Sequence, residues 1–272
     1  ERKNVLYAFF FLGSLISYLY YLVGKKELKY YFFCLFLFIL SLLSKSMAVT
    51  LPLAMFLMDY LFCRKPDKSM FLEKIPFFIL SLIFGVIAIF GAHSSGNIRQ
   101  ESSYSLFSIF ALSSYIVAFH LNKIFLPFRL SCFYPYDGMQ NFTIYLYSII
   151  TIVILFISVI ISGRYTKKVI FGSAFFLFTI LPVLQFVPNG KVIVADRYIY
   201  ISAIGIFYIL AEGLIWLYKR QEKHISSIGV LILIGCLIIF FSSLAFKRCS
   251  IWRDSITLWS YVLKNYPKVP EA

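Results

Sequence analysis

The chain has 272 residues, of which 61% are hydrophobic and only 14% charged, and its mean hydropathy is +0.84. This excludes an ordinary soluble domain, in which about half the residues are apolar and about a quarter charged, and leaves room for roughly seven to nine membrane spans of about 20 residues each. The net charge of +14 is explained first by cytoplasmic loops rich in Lys and Arg; no aromatic residues stand in a basic, polar setting that would stack bases, so no nucleic-acid partner is expected.

The apolar runs predict an all-α polytopic membrane protein with about eight transmembrane helices. The predicted spans cover about Val5 to Val23, Tyr30 to Leu43, a short one continuing to Phe62, Pro76 to Ala92, Phe142 to Ser162, Val169 to Phe186, Tyr198 to Tyr218 and Ile225 to Phe246. Four loops rich in Lys and Arg (24–29, 63–74, 163–168 and 218–224) belong in the cytoplasm by the positive-inside rule. Between the second and third of these an even number of crossings is required, yet three apolar stretches lie there. The stretch 106–126 carries Ser108, Ser113, Ser114, His120, Asn122 and Lys123, so it is predicted to lie as an amphipathic helix in, or dipping into, the outer interface; the alternative is that it crosses and one loop assignment is wrong. Residues 1–246 then form the membrane domain and 247–272 an outer-face tail. The chain opens on Glu1 and closes on Pro270-Glu271-Ala272, and is expected to be an internal piece of a longer protein.

This topology gathers Arg99, Lys123, Arg129, Lys191, Arg197, Lys247, Arg248 and Arg253 on the outer side, with Lys45 near its boundary. The positive-inside rule disfavours that, and a phosphate or pyrophosphate headgroup is the simplest local reason: Arg grips phosphate with paired hydrogen bonds and Lys as a point charge. The stretch Gln185 to Tyr200, QFVPNGKVIVADRYIY, is the focus. Asp196 reads either as the cap of the next span, with Arg197 and Tyr198 anchoring at headgroups, or as the group that orients Arg197 or a sugar hydroxyl while Arg197 and Lys191 bind phosphate. Lys45 is either a snorkelling lysine or a phosphate ligand, with Pro52 breaking the helix at a cavity edge. Asp59 reads as an interfacial charge near Arg64 and Lys65.

The turn of Tyr134, Pro135, Tyr136 and Asp137 could line a sugar site or belong to an aromatic belt. Cys34 and Cys236 read as core packing, while Cys132 and Cys249 share the outer side and leave a disulfide open. No metal ligation is expected of His93 or His120, since no second ligand lies at i+3 or i+4, and there is no nucleophile elbow, P-loop or zinc signature.

Several stretches together resemble bacterial membrane proteins related to the transmembrane-and-TPR O-mannosyltransferases. ERKNVLYAFFFL resembles their SERKDVLxxFFxL segment, LLSKSMAVTLPLAMFLMDY their LLSKxMAVTLPxxxLLxDY, LPFRLSCFYPYDG their P-x-x-L-x-x-FYP turn, ADRYIYISAIG their ADRYTYLPxIG, and IWRDSITLWSYVLKNYPKVPEA the W-x-D-S-x-x-LW segment that leads into the first TPR helix. The resemblance implies a GT-C type glycosyltransferase of the bacterial inner membrane. Such an enzyme takes a mannose-like sugar from a polyprenyl-phosphate donor at the periplasmic face, for an acceptor hydroxyl such as protein Ser or Thr. Arg2, Lys45, Asp196 and Arg197 would be donor-site residues, beside Lys191. No organic cofactor is implied, and a divalent metal is left open. The family often has Asp where this chain has Asn4, and its acidic catalytic residue would lie upstream of Glu1. Asp196 is set aside as general base because a neighbouring Arg197 should hold its pKa down. A carrier or flippase for lipid-linked saccharides, or an anchor for a TPR domain, would also use outer basic groups.

Overall fold

The computed structural model describes residues 2–24, 26–94, 106–132, 134, 142–184, 186, 194–220 and 224–266. Among these, every regular element is helical: α1 (Arg2–Val23), α2 (Leu28–Ser44), α3 (Leu51–Leu61), α4 (Lys68–Leu72), α5 (Ile75–Ser94), α6 (Leu106–Phe125), α7 (Phe142–Gly163), α8 (Lys167–Ile180), α9 (Ala203–Arg220), α10 (His224–Ile251) and α11 (Ser255–Asn265). Short 3-10 turns at Ser46–Thr50, Leu181–Val183 and Asp196–Ile199 join them. Asp67, Thr166 and Asp254 cap α4, α8 and α11 by accepting hydrogen bonds from the backbone N–H of Met70, Lys168 and Thr257, as short polar side chains do at helix starts. Pro52 sits in the first turn of α3, where its missing N–H costs nothing; it begins a helix rather than kinking one.

Five of the described helical stretches are long and apolar enough to cross a membrane: Arg2–Val23, Lys68–Ser94, Phe107–Phe125, Tyr145–Gly163 and Ile228–Ile251. The chain is a multi-pass membrane protein. The helices α2, α3 and α8 are shorter, at 17, 11 and 14 residues. The core lies between α1, α2, α3 and α8, where Phe11, Tyr18, Phe38, Leu51, Met55 and Ile180 are fully buried. In contrast, α5, α7 and α10 carry apolar side chains that are mostly exposed, as expected of surfaces turned to lipid. Cys236 lies on that exposed face of α10, because α10 packs chiefly on α9 and α11; the expectation of a core cysteine holds for buried Cys34 and fails for Cys236. Cys132 and Cys249 are free thiols.

The helix α6 departs in part from the sequence reading. Ser113, Ser114 and His120 are buried, whereas Ser108 and Asn122 are exposed. Ser113 donates to the Leu184 carbonyl at 2.9 Å, and fully buried His120 sets its ring nitrogens against the carbonyl oxygens of Ile116 and Ala195, at 2.7 and 3.3 Å. The hydrocarbon cost that argued for an interfacial helix is therefore met by protein partners.

The largest departure concerns charge. Asp59 is buried, and its partner is Lys74, itself fully enclosed although the sequence places it in a polar loop. Tyr18 donates to Asp59 Oδ1 at 2.8 Å, and Lys74 Nζ donates to Tyr18 Oη at 2.9 Å and to the Met70 carbonyl at 3.1 Å. Arg64 reaches Asp59 at 3.5 Å and grips Glu73 with two bonds of 2.6 and 2.8 Å. Asp59 thus pairs with Arg64 and Lys74, not Lys65, and stands in a network rather than at an interface. The network ties α1, α3 and the start of α5 together at one end of the bundle, and Tyr31 on α2 joins it by donating to the Glu73 carbonyl at 2.9 Å.

At the α8–α9 crossing the backbones touch. A Cβ on Gly172 would lie 2.5 Å from the Gly205 carbonyl oxygen, and one on Gly205 would lie 2.9 Å from the Phe176 nitrogen and closer still to the Gly172 carbonyl. Small residues permit such approaches between apolar helices. Gly205→Ala should destabilise the protein by about 1–3 kcal/mol, read as a lower midpoint of denaturant unfolding in mild detergent, whereas Gly213→Ala on the open side of α9 should not. Removing one member of the buried pair, as in Lys74→Met, should cost about 3–5 kcal/mol because Asp59 is left unmatched; adding Asp59→Leu to Lys74→Met should restore much of that loss in the same assay.

Candidate outer cation cluster

The end of the bundle opposite Asp59 is built where α2 stops. Lys45 leaves the helix in an extended conformation (φ −161°, ψ 132°) before the 46–50 turn. Its ammonium donates to Asn4 Oδ1 at 2.6 Å and lies 6.0 Å from the Tyr7 ring centre and 5.6 Å from that of Tyr198. Lys45 is half-buried and held by protein, rather than stretched along lipid as a snorkelling lysine would be. Asn4, which stands where the resembling family often has Asp, accepts this bond without adding a negative charge. Arg197 lies 5.6 Å over the same Tyr198 ring. The fold therefore brings two cations from distant parts of the sequence to one aromatic ring, an arrangement each cation–π contact favours by about 0.5–1 kcal/mol or more.

Asp196 opens the 3-10 turn, but its side chain caps no helix: Oδ1 accepts from the Tyr134 hydroxyl at 2.8 Å, and that hydroxyl in turn accepts from the Ser131 N–H at 2.9 Å. Burial pushes the Asp196 carboxyl above its ordinary range, and the Tyr134 hydrogen bond with the charges of Arg248 and Lys123 offsets this only in part. The expectation that Arg197 would hold it low is corrected: desolvation outweighs every cation near it, and Arg197 is turned to Tyr198 instead. Lys123 donates to the Phe128 carbonyl at 2.6 Å and lies over the rings of Phe119 and Tyr134 at 5.5 and 5.9 Å. His120 contacts the carbonyl of Ala195, the residue just before Asp196, and so fixes the turn from the α6 side.

Lys45, Asp196 and Arg197 thus meet in one region around Tyr198. Arg2 is exposed at the first turn of α1, on the same helix end as Asn4. Lys191 lies outside the described residues, as do Pro135, Tyr136 and Asp137 of the aromatic turn. Sequence reasoning missed Tyr134 as the partner of Asp196, His120 as the latch on Ala195, and the facing roles of Lys123 and Arg248. Only Arg248 had a signal, the Trp252 one turn further along. Among the described residues no three His, Cys, Asp or Glu side chains gather as a metal site would require.

No family model, curated protein or solved structure matches the chain.

The raised pKa of Asp196 has a signed consequence. The folded state binds this proton more tightly than the unfolded chain, so the associated stability is complete below the ordinary value of 3.8 and is lost as pH rises through the higher folded value. Across that interval wild type should lose stability relative to Asp196→Asn, and parallel pH–stability curves for the two proteins would remove the assignment.

Proposed function

We propose that the chain is the membrane part of a glycosyltransferase that moves a sugar from a polyprenyl-phosphate donor to an acceptor hydroxyl at the outer face of a bacterial inner membrane. The observation that supports this best is the convergence of Lys45 and Arg197 on Tyr198 beside the half-buried Asp196. In this reading the acceptor oxygen attacks the anomeric carbon while the bond from that carbon to the donor phosphate breaks. The phosphate departs with the electron pair, and a general base takes the acceptor proton. Arg197 and Lys45 stabilise the charge that develops on the leaving phosphate, with Lys191 and Arg2 as further contributors, and Asp196 orients a sugar hydroxyl. Tyr134, which already donates to Asp196, would hold that carboxylate in place.

The test is transfer of labelled sugar from a polyprenyl-phosphate donor to peptide by the membrane-embedded protein. Arg197→Ala and Lys45→Ala should each lower turnover by about 10²-fold, while Tyr218→Ala, remote from the cluster, should leave it intact. Unchanged turnover in both cluster variants would remove them from the donor site. Movement of the labelled lipid across the bilayer with no sugar on peptide would favour a carrier.

A further inference from the structure

The last turns of α10, the Pro127–Leu130 segment and α11 enclose a cleft of about 600 Å³. Its lining changes character along α10. Phe241 and Leu244 are apolar; Lys247 and Arg248 follow one to two turns later, about 5–10 Å along the axis, and Arg129 lines the cleft from the neighbouring segment. The guanidinium of Arg248 lies over two rings, 5.9 Å from that of Trp252 and 5.3 Å from that of Tyr261. Both of its terminal nitrogens are closed off from solvent, and among the described residues neither meets a hydrogen-bond acceptor. Buried charged donors are costly to leave unmatched, so this pair calls for an acceptor group.

Arg129 adds an independent sign. Its φ is 53°, a left-handed conformation that costs a non-glycine residue roughly 1–2 kcal/mol. The strain is held by two local bonds: Phe128 N–H to the Leu126 carbonyl at 2.7 Å, and Lys123 Nζ to the Phe128 carbonyl at 2.6 Å. Strain that the surroundings enforce in this way is characteristic of binding positions. Here it sets a second arginine on the wall of a cleft that already contains one whose terminal nitrogens meet no hydrogen-bond acceptor among the described residues.

We propose that this cleft binds a bilayer lipid with a phosphate headgroup. The headgroup oxygens accept from the terminal nitrogens of Arg248, Arg129 and Lys247 add positive charge, and the lipid chain runs along Leu244 and Phe241. Charge complementarity and the apolar continuation of the cleft down α10 together select a phosphate attached to a chain over a free anion. The cleft lies on the α10 side of Asp196, whose carboxylate feels the charge of Arg248, and its test does not depend on sugar transfer.

The experiment is a titration of the full chain, purified in a neutral maltoside detergent, with dodecyl phosphate, followed by tryptophan fluorescence, since Trp252 lines the cleft. Saturable binding is expected, weakened at least about tenfold by Arg248→Gln, the loss of one forked charge-assisted contact. Arg248→Lys, which keeps charge but not the fork, should fall between. Leu244→Trp, which fills the apolar half from a partly exposed position, should weaken binding independently and guards against a folding defect in the arginine variants. Equal competition by inorganic phosphate at the same concentration would overturn the lipid assignment, and binding unchanged in both Arg248→Gln and Leu244→Trp would overturn the site.

Discussion

A charge withdrawn from water into a low-dielectric interior persists only against a partner of opposite sign, and the contact between Asp59 and Lys74 is where this constraint governs the bundle. Neither group could be enclosed alone. Together, with the Tyr18 hydroxyl between them and Arg64 and Glu73 beside them, they let α1, α3 and the start of α5 meet without water. Apolar packing among such helices is poorly directional, since lipid is as apolar as their side chains. The ion network supplies the direction, and the close Gly172–Gly205 approach does the same for α8 and α9 by shape instead of charge.

With that end of the bundle fixed, the opposite end can hold charge of one sign. Lys45, Arg197, Lys123 and Arg248 lie around Asp196 or Tyr198, and each stands over at least one aromatic ring. Rings steady a cation without neutralising it. At the Asp59 end Arg64 and Lys74 are tied directly to carboxylates, which is the physical basis for reading that end as structural. Asp196, the carboxylate described at the opposite end, is desolvated and engaged by Tyr134.

The helices themselves were legible because long apolar runs have one plausible use. The expected run of 142 to 162 is α7, and that of 5 to 23 lies within α1. Ends were less legible. Pro182 stops α8 at Ile180, short of the expected Phe186, and α10 continues to Ile251 because Lys247 and Arg248 are good helix formers with no glycine or proline to halt them. Of the charged partners of Asp59, Arg64 was legible and Lys74 was not. Lys74 stands in a run of polar residues and reads as solvated, and only the folded backbone brings it against Asp59. At the candidate site, residue types pointed to Lys45, Asp196 and Arg197 singly. That the first and last share Tyr198, and that the second turns away to Tyr134, depends on side-chain directions no spacing encodes.

The shared ring of Tyr198 has a metric consequence. Two long, flexible basic side chains would ordinarily span a broad range of separations and adapt to anions of many sizes. With both steadied by one rigid ring, the ammonium of Lys45 and the guanidinium of Arg197 sample fewer separations than free side chains would, so an anion that bridged them would be selected by its width as well as by its charge.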